Sequence, residues 1–156
     1  MTTFRELGVD PEICDALERA GITVPFAIQE MTLSVALLGT DLIGQARTGT
    51  GKTLAFGIPV MQRSVSPKDA AYAEMPQGKP QALIVAPTRE LALQVSGDLH
   101  LASKDRGLRV LTVYGGVPYE GQLEVTGHLE RQLAGRRDDQ RLRLALRQLG
   151  VVGVLR

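Results

Sequence analysis

The chain carries one cysteine in 156 residues. An internal disulfide is therefore excluded, and stability must come from burial. That residue, Cys14, stands in PEICDALERAG and is read as packed on a helix rather than as a reactive thiol. No apolar run reaches the roughly 18 residues that a membrane-spanning helix needs. The opening segment MTTFRELGVDPE is polar and acidic, unlike a signal peptide. A cytoplasmic setting with no membrane partner is the expectation. A strong charge of one sign is also missing from most of the chain. Residues 1–124 hold 11 Lys/Arg against 14 Asp/Glu, a net −3, which is not the balance of a basic nucleic-acid binder. What is present is 44% apolar and 22% charged residues. That composition builds one ordinary globular core and falls short of two full α/β domains.

Hydrophobic patterning alternates helix and strand. Asp10-Pro11 signals a helix start, with Asp10 as cap and Pro11 at the first helical position. That helix is expected to run to about Ala20 and stop at Gly21. A second covers Ala27–Leu38 and ends near Gly39. DLIGQ, residues 41–45, reads as a strand leading into a Gly/Thr-rich loop, and KTLAFGIPVMQRSV as the helix that follows. Ser64–Pro80 reads as a loop. QALIVAP is a near-continuous apolar run that suits a buried parallel strand. TRELALQVSGDLHLAS follows with helical spacing at Leu91, Val95 and Leu99. RVLTVYGG is a further strand ending in glycines. The fold class expected is α/β, a parallel sheet flanked by helices.

Ala46–Thr53 reads A-R-T-G-T-G-K-T, against the general phosphate-loop pattern G-x-x-x-x-G-K-[ST]. Gly51, Lys52 and Thr53 match, and Ala46 replaces the first glycine. Gly49 and Gly51 let the backbone curl so that several N–H groups point at one phosphate. The helix that starts near Gly51 adds its positive dipole end. Lys52 suits the β- and γ-phosphates, and Thr53 suits a Mg²⁺ carried by the nucleotide. A glycine-rich turn with a chance lysine is the alternative, and the strand–loop–helix context disfavours it.

The variant beginning with Ala46 resembles motif I of the DEAD-box family of ATP-dependent RNA helicases. AGITVPFAIQ, residues 20–29, resembles that family's Q motif, and Phe4 stands 17 residues before Gly21, where the family places an aromatic. APTRELALQ, residues 86–94, resembles motif Ia, and YGG, residues 114–116, resembles the paired-glycine segment. The resemblance covers residues 4 to about 124. It implies an incomplete P-loop NTPase (RecA-like) domain. Residues 1–39 would be the Q-motif region with N-terminal helices, and residues 40–124 the first part of the first helicase domain. It further implies that Phe4, Gln29, Ala46, Arg47, Thr48, Gly49, Thr50, Gly51, Lys52 and Thr53 bind ATP with Mg²⁺. Gln29 would read adenine through its amide, and Phe4 would lie on the base. Ile22 departs from the family, which has an aromatic there. Pro87, Thr88, Arg89, Gly115 and Gly116 would hold RNA by its backbone. The plainer readings are a surface helix residue for Gln29, a salt bridge to Glu90 for Arg89, and edge-of-core packing for Tyr114, which is favoured over base stacking.

After Glu124 the resemblance stops. No D-E-A-D, T-P-G-R-like or S-A-T segment occurs among these residues. Residues 125–156 hold seven arginines, no lysine and three acids, a net +4. Three readings stand side by side: a frame-shifted or mispredicted end, a shortened protein with a divergent end, and an arginine-rich RNA-binding helix. Leu142, Leu146 and Leu149 fall on one helical face beside Arg143 and Arg147, which also suits a helix covering the domain's flank. VVGVL is a candidate substitute strand. His128 has no partner at ligand spacing, so no metal site is read there. In the family the missing motifs supply a general base, worth roughly 10²–10⁴-fold, and an arginine finger, worth roughly 10³–10⁵-fold. ATP and RNA binding are therefore expected, with hydrolysis and unwinding requiring elements absent from this chain. The alternative is a non-catalytic nucleotide- or RNA-binding module, or a non-functional truncated product. A sheet cut partway also predicts marginal stability and a tendency to aggregate.

Overall fold

The structure is a computed structural model and describes residues 2–75, 80–114 and 150–155. Helix α1 spans Pro11–Arg19, α2 Ala27–Leu37, α3 Lys52–Arg63 and α4 Arg89–Ser103. Strand β1 spans Pro80–Ala86, β2 Arg109–Val113 and β3 Gly150–Leu155. Short 3₁₀ turns lie at Ala70–Glu74, within the expected 64–80 loop, and at Lys104–Arg106. The helix boundaries follow the sequence signals to within a residue or two. Pro11 sits at the start of α1, and left-handed glycines, Gly21 and Gly39, follow the ends of α1 and α2.

Asp10 precedes α1 as expected, but its side chain does not cap the helix. It accepts from Arg106 Nη1 at 2.6 Å instead. Arg106 is buried and needs a counter-charge more than the exposed first turn needs a cap. Its Nη2 also donates to the Ser64 carbonyl at 3.0 Å, and Ser66 Oγ donates to the Arg106 carbonyl at 2.6 Å. One arginine thus ties the start of α1, the segment after α3 and the turn after α4.

The α/β alternation is present, and the sheet differs from a parallel one in a single respect. The strand order is β1-β3-β2, and β3 runs antiparallel to both neighbours. β1 and β2 therefore point the same way, as expected, but with the VVGVL strand inserted between them. The expected strand at residues 41–45 belongs to no ladder among the described residues. Its backbone is irregular, and Ile43 is fully exposed. A strand needs a partner for its amides, and residues 41–45 pair with neither β1 nor β2, although each keeps an outer edge among the described residues.

Helix α4 is the centre of the packing. It contacts all three strands, and α1 and α3 pack against it, with α2 on α3. Its buried residues are Ala92, Val95, Ser96, Leu99, Ala102 and Ser103. The spacing at Leu91, Val95 and Leu99 was right for the last two, while Leu91 is exposed. Alanine at 92 and 102 lets the helix lie close, which turns the stripe away from Leu91. Cys14 is buried in the core cluster with Ile13, Leu17 and Leu33, and burial pushes its thiol pKa up. That environment is the packing role expected of it. Gly115, Gly116, His128 and the leucine face at residues 142–149 lie outside the described residues.

Candidate nucleotide and nucleic-acid site

The phosphate loop is built on two left-handed glycines, Gly49 (φ +82°) and Gly51 (φ +77°). Gly51 is the residue from which α3 departs. A β-carbon there would lie 2.4 Å from Gln29 Nε2 and 2.6 Å from Phe26 Cδ2, so glycine is required by conformation and by space. Inside the curl, Lys52 Nζ donates to the carbonyls of Ala46 and Arg47, the second at 3.1 Å. Thr50 Oγ1 donates to the Arg47 carbonyl at 2.7 Å and braces the same turn. The first turn of α3 carries no acidic residue of its own to offset its positive end.

Gln29 joins α2 to this loop. Its Oε1 accepts from the Phe26 amide at 2.8 Å, which is half of a capping box. Its Nε2 donates to the Gly51 carbonyl at 2.8 Å. The residue is 1% exposed, so it is not the surface helix residue of the plainer reading. One amide hydrogen and one lone pair remain for a further partner. Phe4 is not brought to the loop. It is 3% exposed, belongs to the core cluster with Val9, Ile13 and Leu17, and borders a small cavity with Arg5, Glu18 and Thr23. The 17-residue spacing gave no sign that the ring would be buried in the core.

A cleft of about 910 Å³ runs from Lys52 and Thr53 past Ala55, Ile84, Val85 and Val95. Its length is mainly apolar, lying between α2, α3, β1 and the unladdered 40–44 segment. Its cations are Lys52, beside Thr53, and Arg63, and the remaining wall is mostly apolar.

The second group of residues sits at the C-terminal ends of β1 and β2, where α/β sheets present ligands. Ala86 faces Gly150 and Val113 faces Val151 across β3, so both strands end at one edge. Pro87, Thr88 and Arg89 are exposed there. Thr88 caps α4, its Oγ1 accepting from the Leu91 amide at 3.2 Å. Arg89 Cζ lies 4.5 Å from the centroid of the Tyr114 ring. Among the described residues Arg89 forms no ion pair with Glu90 or any other acid. Two contacts escaped sequence reasoning, the Arg89–Tyr114 stack and the Gln29–Gly51 tether. Each joins residues far apart in the chain, and only an aromatic after a strand and a glycine before a helix hinted at them.

No helix among the described residues is long and apolar enough to cross a membrane. Residues 26–134 match the DEAD/DEAH box helicase family, past Glu124, where the motif resemblance ends. The DEAD-box ATP-dependent RNA helicase CshA of Geobacillus kaustophilus is 47% identical over 123 residues, which is 79% of this chain and 24% of that protein. The ATP-dependent RNA helicase RhlB of Xanthomonas oryzae pv. oryzae is 48% identical over 123 residues, 79% of this chain and 21% of that protein. The chain thus spans less than a quarter of the length of these relatives. Among solved structures, the RNA helicase Prp28 of Chaetomium thermophilum, bound to ADP, superposes with a TM-score of 0.67 at 31% identity, covering 87% of this chain and 35% of that one. A hypothetical ATP-dependent RNA helicase of Sulfolobus tokodaii superposes with a TM-score of 0.59 at 27% identity, covering 76% of this chain and 31% of that one. Sequence match and superposition agree, and the chain belongs to the DEAD/DEAH box helicase family.

Proposed function

We propose that this chain is the ATP- and RNA-holding segment of an ATP-dependent RNA helicase acting in the cytoplasm. In this reading Ala46–Thr53 grip the phosphates of ATP. The observation that supports it most is Lys52, an ammonium folded into a loop with left-handed glycines and held only by carbonyls. Phosphate oxygens are stronger partners than carbonyls and would take their place. Thr53, next on α3 and on the cleft wall, would turn its hydroxyl to a nucleotide-borne Mg²⁺, whose chemistry is to neutralise phosphate charge. Gln29 would give adenine its remaining amide hydrogen and lone pair, a match that guanine reverses. Pro87, Thr88 and Arg89, with Gly115 and Gly116, would hold RNA through its backbone, independently of base sequence.

Hydrolysis and unwinding call on motifs that these 156 residues do not contain, so turnover by this chain alone is expected near background. A second reading is a binding module without catalysis. Titration of a fluorescent adenine nucleotide with Mg²⁺ against the wild type, Lys52→Ala and Gln29→Ala tests the site common to both. The expected order is wild type tightest and Lys52→Ala weakest; equal binding by all three removes the assignment.

A further inference from the structure

We propose that Tyr114 is a positioning residue that holds Arg89 flat to receive a phosphate of the RNA backbone. The inference rests on the RNA reading above and names the device that sharpens it. Arg89 opens α4 and Tyr114 follows β2, and the shared strand-end edge brings them together. The guanidinium carbon stands 4.5 Å from the ring centroid. A guanidinium at that distance sits on the negative face of the ring, and its N–H donors that do not point at the ring remain for oxygen acceptors.

Three further observations favour a phosphate as that acceptor. Arg89 is exposed, and no carboxylate among the described residues pairs with it. The Thr88 hydroxyl caps the helix, so the turn carrying Arg89 is fixed. The helix N-terminus adds positive potential at the same spot, offset in part by Glu90 in its first turn. An arginine on open surface samples many rotamers, and ordering it on binding costs free energy. A ring that already orders the guanidinium removes much of that cost. The edge-of-core reading of Tyr114 leaves the arginine on its face without a role.

The test measures binding of a short fluorescent oligouridylate at low salt to the 156-residue chain and its variants. Arg89→Ala and Tyr114→Leu should each raise the Kd about five-fold. The double variant should be no weaker than either alone, and Tyr114→Phe should bind as the wild type does. Wild-type affinity in Tyr114→Leu overturns the inference. So does full additivity in the double variant, or loss of binding in Tyr114→Phe, since the ring or its hydroxyl would then touch RNA directly. Should Tyr114→Leu not fold, Arg89→Lys at the exposed position decides: it keeps the charge but not the flat fork, and unchanged affinity overturns the proposal. If Arg89→Ala binds as the wild type does, or the wild type does not bind, the RNA reading fails first and this inference with it.

Discussion

The Gln29 amide donates to the carbonyl of Gly51 at 2.8 Å, so the helix expected to read the base also holds the loop expected to hold the phosphates. Gln29→Ala would leave the Gly51 carbonyl and the Phe26 amide without side-chain partners. A loss of about 1–3 kcal/mol is expected. Thermal melting reads the stability and nucleotide titration the affinity, and both should fall. Falling affinity at unchanged melting temperature would separate base reading from loop support.

Gly57 on α3 presses on Leu99 of α4. A β-carbon there would lie 2.6 Å from Leu99 Cδ2, and Leu99 is fully buried. Gly57→Ala should destabilise by about 1–3 kcal/mol through overpacking, despite alanine's better helix propensity. Adding Leu99→Ala should cost less than the two single losses together, as chemical denaturation of the four proteins would reveal.

Arg106 is the one buried cation among the described residues. Its side chain is 8% exposed, with Asp10 at 2.6 Å and Asp69 at 3.6 Å. Arg106→Met fills the space but strands Asp10 and the Ser64 carbonyl. A cost of about 3 kcal/mol is expected. Removing Asp10 as well should recover part of it, because the stranded charge goes too.

Arg19 on α1 pairs with Asp105 in the turn after α4. The guanidinium hydrogen bond holds the Asp105 carboxyl pKa below its ordinary value. A depressed carboxylate stabilises the fold at pH above its unfolded pKa. That contribution is lost as pH falls through the lower folded value. Stability measured across the acid range should fall less steeply in Asp105→Asn than in the wild type, and identical acid slopes would contradict the pairing.

Ile43, Leu42 and Leu38 stand exposed beside the unladdered segment. Ile43→Ser should change stability within about 0.5 kcal/mol, since it buries nothing. Light scattering at rising concentration should show less self-association than in the wild type.

Helices and strands were legible where local chemistry decides them. Pro11 starts α1, glycines end α1 and α2, and the apolar run at residues 81–86 forms β1. The turns of the loop at residues 46–53 were legible because they fall on Gly49 and Gly51, where a positive φ costs least. Pairing was not legible. Residues 41–45 have the apolar burst of a strand, but a strand exists only with a neighbour. Residues 150–155 found two neighbours although nothing local names them. Asp10 went astray for the same reason: a buried arginine at a distance claimed a side chain whose local signal pointed elsewhere.

The insertion of β3 between β1 and β2 sets the order of events in time. Ala86 waits for Gly150 and Pro80 waits for Leu155, so every rung of this sheet closes a long loop. Such closures slow folding, because their entropy must be lost before any rung compensates for it. The four helices and the phosphate loop can assemble as the chain emerges from the ribosome. The sheet beneath α4 cannot, and the edges of β1 and β2 that meet β3 stay unpaired until residues 150–155 have been synthesised.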